Sequence, residues 1–272
     1  MGGPAGGRRA AVLGHPVAHS LSPALHRAAY AALGLDWTYD AVDVDVPDLP
    51  GFVRGLDDSW AGLSLTMPLK QAVVPLCSRL SPLAEALGVV NTVTFAADRS
   101  LVGDNTDVEG IVVALRSAVV SPVASAVVVG GGATAASAVA ALREIGCSST
   151  ALVVRSVPRA RPVVDAAERL GVEVRPTEWV GGVDLQADVV VSTVPAGVAD
   201  VLVEAVPPAP GVLLDVVYSP WPTPLAAAWA RAGGTVVSGL EMLLRQAAAQ
   251  VRLMTGLEPP LDAMRAALPR HA

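Results

Sequence analysis

Lysine is almost missing from this 272-residue chain: of nineteen cationic side chains only Lys70, in LTMPLKQAV, is not an arginine. The bias toward Ala, Val, Gly, Pro and Arg looks like that of a GC-rich genome, and such bias removes lysines without regard to function. An ordinary solvated Lys70 is therefore one reading. The other is chemical: arginine stays protonated at any accessible pH, whereas lysine shifts its pKa and passes a proton, so Lys70 is a candidate acid or base.

Other absences exclude whole classes of function. No run of basic residues accompanies the net charge of -6, which argues against nucleic acid, whose phosphates demand clustered Lys and Arg, and toward a small-molecule partner. The two cysteines, Cys77 and Cys147, are far apart and form no CxxC or Cys/His group, so neither a disulfide framework nor a zinc site is expected, and both are read as buried thiols in a reducing cytoplasm. Apolar stretches are broken by Arg, Asp, Gly or Pro well before the roughly 20 residues a membrane helix needs. In the opening MGGPAGGRRAAVLGHPV, Gly14, His15 and Pro16 interrupt the apolar run too early for an export signal. A soluble protein that engages no membrane is expected. His15, His19 and His26 are spaced by four and seven across a Pro-containing turn without supporting carboxylates, so packing or hydrogen-bonding roles are expected, and no metal.

What is present alternates. AAVL, SPALHRAAYAALG, WTYDAVDV, VPDLPGFVRGL, GLSLTM and LKQAVVPLCSRL give βαβα order over the first hundred residues, as in a mostly parallel sheet covered by helices. A second unit begins near TDVEGIVVALRSA and leads into SAVVVG, with helices and the strands TALVV, ADVVVST and GVLLDVVY following; such continuous apolar strands suit a sheet buried on both faces. GLEMLLRQAAAQVRLMTG is a long amphipathic helix with no strand after it. At 272 residues, two domains of ordinary size are expected.

VVVGGGATAASAVAALREIG presents Gly130, Gly132 and Ala135 in G-x-G-x-x-A spacing between a predicted strand and helix. Glycine turns also end strands for steric reasons alone. In this setting the first glycine permits the tight turn, the second lets backbone approach a pyrophosphate, and the small third residue lets helix pack on strand. Free N–H groups at the helix start would hold the phosphates. An acid about 20 residues on selects NAD, and an arginine there accommodates the extra phosphate of NADP. ALVVRSVPRAR offers Arg155, Ser156 and Arg159 and no acid close in sequence. NADP is favoured, against the reading of these arginines as a solvated face.

Polar clusters close the strands of the first half: HPVAHSLSP, LSLTMPLK, VVNTV and VGDNTD. Singly, each has a plain explanation in helix caps and turns. Together, in this order, with the glycine turn and the late GLxMLxxQA helix, they resemble the shikimate dehydrogenase family over nearly the whole chain. The resemblance implies a Rossmann-type NADP-binding domain at 106–238. It also implies a substrate-binding α/β domain with a mostly parallel sheet, 1–105 completed by 239–272, and a deep cleft between the two. It implies that Ser20, Ser22 and Tyr218 hold a substrate carboxylate, and that Thr66, Asn91, Asp107 and Gln246 bind ring hydroxyls. Lys70 and Asp107 would be the catalytic pair. Gly130, Gly131, Gly132, Ala133 and Thr134 would hold the dinucleotide with Arg155, Ser156, Arg159, Thr193 and Val194, while Gly239 and Met242 would lie at the nicotinamide.

The pattern departs from the family at three places: Ser64 stands where Asn often precedes x-T, Val154 where Asn precedes the NADP arginine, and Ala133-Thr134 continue the glycine turn. The implied activity is reduction of 3-dehydroshikimate to shikimate with NADPH, in the cytoplasm, by a monomer or homodimer serving aromatic amino acid biosynthesis. Quinate or aminoshikimate dehydrogenation, or a silent ligand-binding relative, are the alternatives.

Overall fold

The computed structural model describes residues 7–119, 122–147, 149–179 and 182–269, so both chain ends, His271 among them, lie outside it. The chain divides into two compact units, Met1–Thr106 with Gln246–Ala272, and Asp107–Arg245.

The first unit runs β1 (Arg8–Gly14), α1 (Ser22–Ala32), β2 (Trp37–Asp43), α2 (Leu49–Arg54), β3 (Trp60–Leu65), α3 (Leu69–Ala72), β4 (Arg79–Leu80), α4 (Pro82–Leu87), β5 (Thr92–Phe95) and β6 (Leu101–Asp104). The sheet order is β2-β1-β3-β5-β6-β4. β1 pairs in parallel with β2 and β3, as the βαβα pattern led one to expect. β5 is antiparallel to both β3 and β6. The β5–β6 hairpin closes through Asp98, whose carboxylate accepts the Ser100 N–H (3.0 Å) and hydroxyl (2.6 Å). All six β3 residues are buried, and Leu13, Leu63 and Leu69 are fully enclosed in the core beneath; truncating one such leucine to Ala costs about 2–5 kcal/mol.

Helix ends follow their local chemistry. Ser81 caps α4 by accepting the Ala84 N–H (3.2 Å), Pro82 fills the first turn, and Gly88 ends the helix in the left-handed region at φ 65°. The apolar pattern of LKQAVVPLCSRL suggests one helix, but α3 stops at Ala72, a short 3-10 turn spans Val74–Leu76, and Arg79–Leu80 is a strand. Pro75 lacks the N–H that a continuing helix requires.

The second unit comprises α5 (Asp107–Arg116), β7 (Ser125–Val129), α6 (Ala133–Glu144), β8 (Ser149–Val154), α7 (Arg161–Arg169), β9 (Val174–Glu178), β10 (Val189–Ser192), β11 (Val212–Asp215), α8 (Pro224–Arg231) and β12 (Thr235–Ser238). Its sheet, in order β12-β11-β10-β7-β8-β9, is parallel throughout. Counted from β7 this is the doubly wound order 3-2-1-4-5-6, whose reversal point lies between β7 and β10. α9 (Gly239–Thr255) begins in this unit and, from Gln246, belongs to the first, followed by α10 (Leu261–Ala266).

Candidate active site

In the first unit the site is assembled by backbone hydrogen bonds at strand ends. Thr66 follows β3; its N–H donates to the Leu13 carbonyl (2.9 Å), and its own carbonyl accepts from the Leu69 N–H (2.8 Å), turning the chain into α3. Lys70 is the second residue of α3 and half-buried. Its carbonyl accepts the Val90 N–H (2.8 Å), and the Asn91 carbonyl accepts the Leu65 N–H (2.8 Å). The backbone carrying Lys70 and Thr66 is thereby tied to the backbone carrying Asn91. Gln246, 155 residues later, arrives on α9 with its Oε1 3.4 Å from Asn91 Nδ2. Asn91 and Gln246 are 1% and 7% exposed. Ser22 is the first residue of α1, and its N–H donates to the Ser20 hydroxyl (3.3 Å).

Behind Asn91 a network joins Thr92 of VVNTV and Thr106 of VGDNTD to Gln250, Ser64 and His26. The Thr92 hydroxyl donates to Asn91 Oδ1 (2.8 Å), as does the Thr106 N–H (2.8 Å), while Asn91 Nδ2 donates to the Thr106 hydroxyl (3.0 Å). Gln250, one turn beyond Gln246, donates from Nε2 to Thr92 Oγ1 (3.1 Å) and to the Asn91 carbonyl (3.3 Å). Its Oε1 accepts from the Ser64 hydroxyl (2.9 Å), and Ser64 accepts from the Tyr39 hydroxyl (2.6 Å). His26 Nε2 lies 3.2 Å from the same Oε1, and its Nδ1 lies 3.3 Å from the Tyr30 hydroxyl. A carbonyl only accepts, so Gln250 Nε2 faces Asn91 and Oε1 faces His26. His26 is thus the Nε2–H tautomer and accepts from Tyr30. Burial pushes its pKa down to about 3, and its ring stacks on Tyr39 at 3.9 Å. His26 takes the packing and hydrogen-bonding role expected of it, and exposed His15 pairs through Nδ1 with Asp43 (2.6 Å). Ser64 uses its only hydrogen inside this network, so the shorter side chain at the family's Asn position serves the interior.

In the second unit Asp107 opens α5, 3% exposed; Lys70 and Asp107 therefore fall in different units. Gly130 ends β7 with φ 117°, and a side chain there would strike the Thr193 hydroxyl and Val194. Thr193 is fixed by donating its hydroxyl to the Val129 carbonyl (2.8 Å). Gly131 is pressed against Val154 and Ala160, whereas Gly132 faces open space and precedes α6 without a side-chain cap. Ala133 and Thr134 form the first turn of α6, and buried Ala135 packs it on the sheet. Arg155 and Arg159 are exposed just past β8, with half-buried Ser156 between them, and neither is in an ion pair among the described residues. One acid does come near in space: Glu178, from the end of β9, accepts the Val157 N–H (3.3 Å). An open glycine, uncapped helix N–H groups and two unpaired arginines at one end of a parallel sheet fit a phosphorylated dinucleotide.

Tyr218 is half-buried after β11. Its turn is tethered by buried Asp215, which accepts the Val217 N–H (3.2 Å) and the Thr223 hydroxyl (2.7 Å); burial holds the Asp215 carboxyl above its usual pKa. At Gly239 the space for a side chain is filled by the Val216 backbone carbonyl, and Met242 is buried three residues along α9.

These features define a pyridine-nucleotide-dependent oxidoreductase built from two α/β units. The family profile for the shikimate dehydrogenase substrate binding domain matches residues 12–93, that for the shikimate 5'-dehydrogenase C-terminal domain residues 239–268, and that for pyridine nucleotide-disulphide oxidoreductases residues 125–196. The shikimate dehydrogenase (NADP(+)) of Rubrobacter xylanophilus is 40% identical over 270 residues, 94% of each chain. The crystal structure of Mycobacterium tuberculosis shikimate dehydrogenase is 43% identical with a TM-score of 0.87, covering 96% of this chain and 98% of that one. The shikimate 5-dehydrogenase of Thermus thermophilus, solved in complex with NADP(H) and shikimate, is 35% identical with a TM-score of 0.82, covering 96% and 100%. The chain belongs to the shikimate dehydrogenase family.

Proposed function

We propose that this protein reduces 3-dehydroshikimate to shikimate with NADPH, reversibly, in the cytoplasm and in aromatic amino acid biosynthesis. The observation that carries the reading is the meeting of Asn91 and Gln246 in one buried amide cluster, on a chain whose relative from Thermus thermophilus was solved with both NADP(H) and shikimate. Residues 1–105 with 239–272 are assigned to the substrate and 106–238 to the cofactor.

Reducing a ketone requires hydride to carbon and a proton to oxygen. NADPH supplies the hydride when bound, held by the Gly130–Thr134 turn, by Thr193 and Val194, and by Arg155, Ser156 and Arg159 at the extra phosphate. Lys70 supplies the proton from its ammonium. Asp107 orients both the lysine and the substrate hydroxyl, and its carboxylate favours the charged lysine. Ser20, Ser22 and Tyr218 take the carboxylate, and Thr66, Asn91 and Gln246 take ring hydroxyls. No metal is needed when a side chain gives the proton.

Steady-state rates with shikimate, quinate and aminoshikimate, each with NADP and with NAD, test the assignment. Shikimate with NADP should give the highest kcat/KM. A higher value with quinate, aminoshikimate or NAD would reassign the enzyme within its fold. Calorimetric binding of shikimate without a change in nicotinamide absorbance would make it a silent ligand-binding relative.

A further inference from the structure

We infer that Thr92 and Gln250 are positioning residues that lock the side-chain amide of Asn91 with its oxygen turned inward and its NH2 edge turned toward Gln246. This deepens the reading above and rests on Asn91 being a substrate ligand.

Thr92 is wholly buried, so it meets no substrate itself. Its hydroxyl has one hydrogen, and the direction of that hydrogen is dictated by its neighbours. Gln250 Nε2 donates into the Thr92 oxygen (3.1 Å), which leaves the Thr92 hydrogen to Asn91 Oδ1 (2.8 Å). Gln250 in turn is oriented from its other end, where Ser64 donates to Oε1 (2.9 Å) and neutral His26 lies 3.2 Å away. Polarity therefore propagates from Tyr30 and Tyr39 through His26 and Ser64 to Gln250, Thr92 and Asn91, each group donating to the next. Gln250 also donates to the Asn91 main-chain carbonyl (3.3 Å), so it fixes both backbone and side chain of the same residue. With Thr92 and the Thr106 N–H both donating to Oδ1, a flipped Asn91 amide would set N–H against two donors. One Asn91 Nδ2 hydrogen goes to the Thr106 hydroxyl (3.0 Å) and the other points to Gln246 Oε1 (3.4 Å), so a ring oxygen that takes the place of that Oε1 is read as an acceptor.

The chain contains only two asparagines, Asn91 and Asn105, which makes the test direct. With 15N-asparagine labelling, the side-chain amides give two resonance pairs, and the Asn105 pair, bound to the Val89 carbonyl (3.2 Å), is the internal reference. Thr92→Val keeps shape and β-branching but deletes the hydroxyl; Thr92→Ser keeps the hydroxyl. In Thr92→Val, and in Gln250→Met, the Asn91 pair should shift and its hydrogens exchange faster while Asn105 stays in place. The KM for shikimate should rise about 5- to 30-fold, as expected for one or two lost hydrogen bonds, with the KM for NADP unchanged. Thr92→Ser should restore the Asn91 resonances and a shikimate KM within about threefold of wild type. Asn91 resonances unmoved in both Thr92→Val and Gln250→Met would overturn the positioning role. Resonances that move while the shikimate KM does not would uphold the lock and overturn instead the assignment of Asn91 as a substrate ligand.

Discussion

His26→Phe should flatten the acid side of the stability profile. In the folded chain His26 is fully enclosed and its pKa is pushed from 6.5 to about 3 by loss of water, against a smaller opposing effect of its contact with Gln250. Because the folded pKa is depressed, the unfolded chain binds the additional proton. The stabilisation due to neutral His26 is complete above pH 6.5 and is lost as pH falls from 6.5 toward 3. At about 1.4 kcal/mol per pH unit the whole window amounts to about 5 kcal/mol, of which about 2 kcal/mol falls between pH 6.5 and 4.5. Phenylalanine keeps the stacking on Tyr39 but cannot titrate. It leaves the Tyr30 hydroxyl and Gln250 Oε1 each short of a partner, a cost of about 1–3 kcal/mol that does not vary with pH. Exposed His15, whose pKa is raised by its hydrogen bond to Asp43, contributes with the opposite sign, losing stability as pH rises, but equally in both proteins. Urea unfolding of wild type and His26→Phe at intervals from pH 7.5 to 4.5, followed by tryptophan fluorescence, isolates the term as the difference between the two curves. Wild type should lose about 2 kcal/mol more than the variant over the acid half of the range. Parallel curves, with a constant offset at every pH, would show that His26 does not titrate between the two states and would refute the neutral tautomer on which the network's polarity depends.

Lys70→Arg preserves charge but cannot release a proton at working pH, so turnover should fall about 100- to 10,000-fold, as for Lys70→Ala, with the unfolding midpoint unchanged; near-normal turnover in either variant would remove Lys70 from the chemistry. Replacing Arg155 and Arg159 together by Ala should raise the KM for NADP about 10- to 100-fold while leaving that for NAD unaltered, and equal effects on both nucleotides would mean that the arginines do not meet the extra phosphate. Gly239→Ala drives a methyl group into the Val216 carbonyl, so the variant should be destabilised by about 1–3 kcal/mol in urea unfolding, and an unchanged midpoint would show that the start of α9 shifts without cost.

The parallel core and the glycine turn were legible because their causes are local. The buried strands of the second unit are continuous valine-rich runs, and G-x-G-x-x-A runs from the end of β7 into the first turn of α6. The elements missed are edges and short strands, where the burial that creates a pattern is weak. β9 lies at the rim, is largely exposed and contains Pro176, which an edge strand tolerates. β12 is the opposite rim, four residues long, and β4 has only two. The antiparallel turn of β5 and β6 carries Arg99 at φ 65° in place of glycine or asparagine, so Asp98 is the only strong turn signal in it. Likewise Glu178 is brought beside the arginine turn by sheet pairing, which no window around ALVVRSVPRAR contains.

The same distinction separates the residues assigned to the substrate from their supports. Thr66, Lys70, Asn91 and Gln246 sit in motifs that can be read along the chain, as do Thr92 and Thr106 beside Asn91, but the groups that fix Gln250 on α9 come from α1, β2 and β3, up to 224 residues away in sequence. QAAAQ places Gln246 and Gln250 one turn apart on a face of α9, where both are buried. Burying an amide without partners costs several kcal/mol, so two glutamines on a buried face require an opposing polar surface rather than an apolar one. Asn91, Thr92, Ser64 and His26 are that surface. Ser64 fits the same logic: the small side chain leaves room for the Tyr39 hydroxyl to reach it at 2.6 Å, and its single hydrogen completes the orientation of Gln250. A larger residue at position 64 would have to displace Tyr39 or Gln250, because both hydrogen bonds converge on the one small hydroxyl.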